Sequence, residues 1–142
     1  MAKIPGIHFF QVAKASYWLS ANFGAGPAIP INYDQKEYDD ENCVTTSPTA
    51  WQYKAKYAGT YEVQIFGYDT TNVNFLVYKN GNLYTQLLFN ISSSNGNSAI
   101  VPVPMAVNDT IDIRPNSFTT VVGGAISAGT NTNKVYIKRV GV

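Results

Sequence analysis

Cysteine and histidine are almost absent: the 142 residues hold one of each, Cys43 and His8. A single cysteine excludes an internal disulfide framework, and the pair cannot furnish a conventional Cys/His zinc site. Charge is scarce too. Lys plus Arg number 10 and Asp plus Glu 9, for a formal net charge of +1, so the basic footprint of a nucleic-acid binder is missing. No apolar run approaches the ~20 residues of a membrane-spanning helix. The first residues, Met1-Ala2-Lys3-Ile4-Pro5-Gly6, carry one charge and a Pro-Gly break, and His8, Gln11 and Lys14 interrupt the apolar stretch from Ile7 to Ala15. The expectation is a chain made in a cytoplasm without a cleaved secretion signal.

What the chain has in quantity is aromatic and β-forming residues. Two Trp, ten Tyr and seven Phe make up 13% of the residues, within a hydrophobic total of 45%. That content is too high for a disordered chain, and the length suits one compact domain with a real core. Short runs rich in Val, Ile, Tyr, Phe and Thr alternate with clusters of Gly, Pro, Asn and Asp, which predicts an all-β sandwich or barrel. Expected strands are Gly6–Val12, Ser16–Ala21, Cys43–Thr46, Trp51–Lys56, Gly59–Tyr68, Val73–Lys79, Asn82–Phe89, Ser98–Met105, Thr110–Arg114, Val121–Ile126 and Lys134–Val140, with Ile29–Tyr33 a short extended piece.

Several of these runs carry detail. In Gly59–Tyr68, Tyr61, Val63 and Ile65 share one face and Glu62 and Gln64 the other, the period of a half-buried strand. Val73–Lys79 is apolar on both faces, so it needs two burial partners. Asn80-Gly81 after it predicts a type I′ hairpin turn, which requires positive φ at both central residues. Pro102 and Pro104, two apart, place both missing donors on one side and mark an edge strand. Gly123-Gly124 reads as a bulge. The segments 34–42 and 91–97 read as a polar acidic loop and an exposed loop tip.

From Ile31 onward the motifs resemble the jelly-roll family of complement globular heads and tumour necrosis factors. Ala58-Gly59-Thr60-Tyr61-Glu62-Val63 is similar to the family's Gly-x-Tyr-x-Phe strand. Val77-Tyr78-Lys79-Asn80-Gly81 is similar to its strand ending in Lys-Asn-Gly. Val107-Asn108-Asp109-Thr110-Ile111-Asp112-Ile113 resembles its Gly-Asp turn and strand, with Asn108 where that motif has Gly. Tyr136-Ile137-Lys138-Arg139-Val140 resembles the closing strand. The resemblance is to divergent phage or bacterial versions, since residues 1–30 match nothing in the family pattern. It implies a two-sheet antiparallel jelly roll over residues 31–142, preceded by N-terminal strands that could serve as an anchoring segment, and it implies a trimer. The aromatic surplus agrees: apolar surface beyond what one small core absorbs belongs at a symmetric interface. Tyr61, Phe66, Leu76, Tyr78 and Tyr136 are the expected interface residues.

No catalytic constellation emerges. His8 sits beside Phe9 and Phe10 with no nucleophile in view, and Cys43 reads as a small buried thiol. The acids at 34–41 are the one charge cluster. Asp34, Asp39 and Asp40 offer oxygens to a hard cation such as calcium, and a solvated turn is the plain alternative. Asp69, Asn72, Ser93, Asn95, Asn97 and Asn116 lie in Asn/Ser/Thr-rich tips of the kind that hold sugar hydroxyls, a composition ordinary loops share. The sequence therefore points to a non-enzymatic virion surface module, a phage capsid decoration or a fibre or tail head, acting through self-assembly, other virion proteins and a host-surface glycan. A free lectin-like domain is the alternative. A glycan hydrolase would need acids from 34–41 and 109–112 facing each other at about 5–10 Å.

Overall fold

A computed structural model describes residues 12–27, 29–46, 50–67, 73–91, 97–127, 130, 131 and 133–142. The expected strand Gly6–Val12 lies almost wholly outside them. Among the described residues every regular element is a strand. In chain order these are β1 (Lys14–Trp18), β2 (Phe23–Ala25), β3 (Gln35–Asp39), β4 (Val44–Thr45), β5 (Gln52–Lys54), β6 (Gly59–Gly67) and β7 (Val73–Lys79). They continue with β8 (Asn82–Ile91), β9 (Asn97–Met105), β10 (Thr110–Pro115), β11 (Thr119–Val121), β12 (Ala125–Ser127), β13 (Thr130–Asn131) and β14 (Lys134–Gly141).

Ten of them form two five-stranded antiparallel sheets, ordered β3-β1-β14-β6-β9 and β4-β5-β10-β7-β8. Neighbours in each sheet are mostly distant in sequence, so the chain crosses repeatedly between layers, as a jelly roll must. Two small ribbons, β11-β2 and β12-β13, lie beside them. The period-two pattern dictates what falls between the layers. Tyr61, Val63 and Ile65 of β6 face inward beside Val135 and Ile137 of β14, and β10 and β7 add Ile111, Ile113, Phe75 and Val77. Trp51 is buried in the same core, with Tyr33 and Tyr17 edge-on at ring-centroid separations of 5.7 and 6.2 Å. Each large apolar side chain so buried contributes roughly 1.5–3 kcal/mol.

Local chemistry ends and joins the strands as expected. Asn80 and Gly81 take φ of 52° and 77°, and Lys79 pairs with Asn82 across a two-residue turn. Pro102 and Pro104 lie on β9, an edge of the first sheet. The Pro104 carbonyl accepts from Lys79 Nζ at 2.6 Å, and the Pro102 carbonyl accepts from Tyr84 Oη at 3.5 Å. Both donors come from the other sheet and tie the two layers at that corner.

Three expectations need correction. The segment 34–42 contains strand β3, paired with β1 from Gln35 to Asp39. It is not a loop; its polarity reflects an edge position with little apolar cover. The run Val121–Ile126 is not one bulged strand, because β11 ends at Val121 and β12 begins at Ala125, with Gly124 at φ 86° between them. Ser16–Ala21 extends too far: β1 starts at Lys14 and stops at Trp18.

Candidate functional site

Among the described residues, the outward face of the first sheet gathers four aromatic side chains, Trp18, Tyr38, Phe66 and Tyr136. Residues directly opposite each other in antiparallel pairs share a face, so the register fixes three cross-sheet rows. One row holds Trp18, Lys134, Phe66 and Ser98; the next Tyr38, Ser16, Tyr136, Gln64 and Ile100; the third Lys14, Lys138, Glu62 and Pro102. Phe66 and Tyr136 meet edge to face at 5.8 Å. Lys134 Nζ lies 4.7 Å from the Tyr136 ring centroid, and Lys14 Nζ 5.3 Å from that of Tyr38. A shallow depression opens where the second and third rows meet, between Tyr38 and Tyr136, with Lys14, Lys138, Glu62 and Gln64 around it. At the β9 edge Ile100 is 55% exposed, and Tyr84 of β8 is also exposed.

Among the described residues six aromatic side chains are buried in the sandwich: Tyr17, Tyr33, Trp51, Tyr53, Tyr61 and Phe75. Phe23 packs partly buried against that core, and the outward face of the first sheet holds four of the other described aromatics. This face is held by ionic contacts at one flank. Glu37 accepts from Ser16 Oγ at 2.6 Å and pairs with Lys134 Nζ at 2.7 Å. At the far corner Asp109 accepts from Asn80 Nδ2 at 2.9 Å and from the Ala106 N–H at 2.8 Å, and pairs with Lys79 at 3.2 Å.

These contacts set a pH dependence. The Lys134 and Ser16 hydrogen bonds hold Glu37 below its ordinary 4.5, and the Asn80 amide and Ala106 N–H hold Asp109 below its ordinary 3.8. A carboxyl with a depressed folded value stabilises above its unfolded value and loses that contribution as pH falls through the folded one. Urea midpoints are therefore expected to be level near pH 6 and to decline progressively once the pH drops below about 4.5. A midpoint that rises on acidification would contradict this.

The expected interface residues fall in three places. Phe66 and Tyr136 sit together on the outward face of the first sheet. Tyr61 does not: it is fully buried between the sheets, its hydroxyl donating to the Tyr57 carbonyl at 2.8 Å. Its parity with Val63 and Ile65 puts it inward, and it has no surface to offer a neighbour. Leu76 and Tyr78 belong to the second sheet, on its own outward face. There the Arg114 guanidinium stacks 4.0 Å from the Tyr78 centroid while its Nε and Nη2 bond Asp112 at 2.7 and 3.1 Å, and Leu76 is 6% exposed. A self-contained stack thus supplies the second burial partner that β7 required. Trp18, Tyr38 and Ile100 escape sequence reasoning, because only the register of β1, β3 and β9 brings them together.

The acids do not converge. Asp34 accepts from the Ser20 N–H and Oγ at 2.9 and 2.5 Å. Asp39 accepts from the Cys43 and Val44 N–H groups, each at 2.9 Å, and from Tyr17 Oη at 3.3 Å. With β3 running from Gln35 to Asp39, directly after Asp34, the segment spreads these two carboxylates to opposite ends of a strand. Among the described residues no group of three His, Cys, Asp or Glu side chains could hold a metal ion. Cys43 is buried, which pushes its thiol up. Of the tip residues, Asp69, Asn72, Ser93 and Asn95 lie outside the described residues, as does His8. Asn97 opens β9 opposite Gly67 and is not on a loop, while Asn116 is exposed and its Oδ1 accepts from the Asn74 N–H at 3.0 Å.

No protein-family model and no curated protein matches this sequence. Solved structures do resemble it. The globular domain of zebrafish complement 1qA protein has a TM-score of 0.65 at 10% identity, over 92% of this chain and 97% of that one. Murine APRIL, at pH 5.0, has a TM-score of 0.63 at 8% identity, over 92% and 100%. The PRD1 vertex protein P5 has a TM-score of 0.56 at 11% identity, over 91% and 96%. At such identities the likeness is one of fold. The chain has the two-sheet jelly-roll fold of complement globular heads and tumour-necrosis-factor domains, and that fold also occurs in a phage vertex protein.

Proposed function

We propose that this protein is a non-enzymatic virion surface component, a phage capsid decoration or the head of a fibre or tail, that works as a homotrimer. The observation that carries the reading is the aromatic band on the outward face of the first sheet, which runs from the half-buried Trp18, Phe66 and Tyr136 to the exposed Ile100 at the β9 edge. Apolar surface gathered on one face, with a second apolar patch at the adjoining edge, fits a head-to-tail ring: the edge of one copy covers the face of the next, and three copies close the ring. The trimer implied by the family resemblance, and the vertex protein among the similar folds, support the same assignment. Contact with other virion proteins falls to the N-terminal residues 1–30 apart from β1, which is paired on both edges. Contact with a host surface falls to the segments holding Asp69, Asn72, Ser93, Asn95 and Asn116. No calcium is required in this reading.

A lectin-like reading is favoured by one observation. The depression between Tyr38 and Tyr136 combines aromatic walls with Glu62, Gln64 and two lysines, a set that suits the apolar face and hydroxyls of a sugar ring. The two readings compete for one surface, since a neighbouring copy seated there would cover the depression. Light scattering on the purified protein decides between them. A mass of three chains at micromolar concentration is the expected result. A single-chain mass across that range would overturn the trimer, and glycan binding by that monomer would then favour the lectin.

A further inference from the structure

Asn-Gly is the dipeptide in which an asparagine side chain is least protected from its own backbone. The Gly N–H carries no neighbouring side chain, so the nitrogen reaches the Asn Cγ without a steric barrier. Asn80-Gly81 occupies the β7–β8 turn, and a Cβ built on Gly81 would meet nothing within 4 Å. Asn80 is nevertheless held at both ends of its amide. Its Oδ1 accepts from the Thr110 N–H at 2.8 Å, its Nδ2 donates to Asp109 Oδ1 at 2.9 Å, and its own N–H donates to the Thr110 carbonyl at 2.9 Å. All the partners come from a turn some thirty residues away, whose Asp109 is itself fixed by Lys79 and the Ala106 N–H.

We propose that Asn80 is a latent deamidation site, kept unreactive in the folded protein by the Asp109–Thr110 turn. Reaction at Asn80 proceeds when the Gly81 nitrogen, losing its proton to solvent base, bonds to the Asn80 Cγ. The Cγ–Nδ2 bond breaks, ammonia leaves, and a five-membered succinimide forms. Water then opens the ring at either carbonyl, giving aspartate or isoaspartate. No oxidant or cofactor enters. Ring closure requires the Asn80 side chain to rotate onto Gly81, and neither hydrogen bond of the amide survives that rotation. The reactive conformation is therefore a locally opened state of this corner, and the rate reports how often it opens.

The product cannot restore the corner. Aspartate at 80 sets a carboxylate against that of Asp109 in place of the Nδ2 donor. Isoaspartate lengthens the backbone within a two-residue turn whose φ angles, 52° and 77°, fix the strand register. The modification thus acts as an irreversible loosening of the β7–β8 and β10 corner. It depends neither on a place in a virion nor on oligomeric state.

Peptide mapping by mass spectrometry after incubation at pH 8 tests it, with the sequence itself supplying a standard. Asn95-Gly96 is the same dipeptide, so in 8 M urea both asparagines report the unrestrained rate. The expected result is that Asn80 deamidates at least about tenfold more slowly in native protein than in urea, the factor implied by two modest hydrogen bonds. Asp109→Ala should raise the native rate at Asn80 several-fold. Lys79→Met removes the ion pair but leaves both amide hydrogen bonds and should not. Equal rates at Asn80 in native buffer and in urea would overturn the proposal, and that comparison needs no variant. An unchanged rate in a folded Asp109→Ala protein would overturn it as well.

Discussion

Gly59→Ala is expected to lose roughly 2–6 kcal/mol of unfolding free energy, combining a positive-φ cost of about 1–3 kcal/mol with overpacking of about 1–3 kcal/mol. Gly59 opens β6 with φ at 151°, in a region that residues with a side chain rarely enter. A Cβ there would collide with the Gly141 carbonyl oxygen and lie 2.8 Å from Arg139 Nε. Neither can retreat freely. Gly141 pairs with Thr60 across a bulge in the β6–β14 ladder. Arg139 is 8% exposed, donates through Nε and Nη2 to the Ala58 carbonyl at 2.9 and 2.6 Å, and stacks on Tyr57. Moving it leaves a guanidinium and a carbonyl short of partners in a partly buried place. Gly81→Ala is the control. It also sits at positive φ, 77°, but in open space, so its loss should be limited to about 1–2 kcal/mol. Urea denaturation of both variants provides the measurement. A Gly59→Ala protein as stable as Gly81→Ala would mean that the β6–β14 junction is not packed as described.

The same residues show what is legible in the sequence. The β7–β8 hairpin can be read because its determinants are local: strand period on either side and an Asn-Gly whose φ requirements few residues meet. Strand β6 can be read from Tyr61, Val63 and Ile65, and the alternation of the last strand places Arg139 with Val135 and Ile137, its guanidinium being satisfied by a carbonyl. Strand β3 cannot. Gln35, Lys36, Glu37, Tyr38 and Asp39 carry no apolar alternation, because an edge strand pairs along one side only and buries little. As a loop, the segment would let Asp34, Asp39 and Asp40 converge as ligands. Extended, it directs Asp39 to cap the Cys43 and Val44 amides.

The candidate site is legible in part for a related reason. That aromatics outnumber the core can be counted. Which ones lie outside depends on register between strands far apart in sequence, and no local pattern encodes that. Trp18, Phe66, Tyr136 and Ile100 come from four strands that meet only after β1 and β9 have found their places on either side of β14 and β6. Tyr61 is the exception, since its own alternation with Val63 already points it inward and away from any interface.

If the face of the first sheet is where copies meet, Ile100→Lys should convert the trimer to single chains while leaving each chain folded. Ile100 is 55% exposed and lies in the row of Gln64 and Tyr136. Losing the burial of an isoleucine costs about 1.5–3 kcal/mol, and desolvating an unpaired ammonium costs several kcal/mol more. A closed ring repeats each contact at three equivalent interfaces, so one substitution is felt three times. Within an isolated chain the same lysine stands in water, and the change in unfolding free energy should stay within about 0.5 kcal/mol. Phe118→Lys separates the two effects. Phe118 is 79% exposed beside Gly26, on the connection between β10 and β11 and on no strand of the first sheet, and its replacement should leave the mass of the assembly unchanged. Scattering mass with urea midpoints for wild type and both variants completes the test. A wild-type trimer that survives Ile100→Lys would remove this face as the interface, and equal dissociation by Phe118→Lys would show that any added lysine suffices.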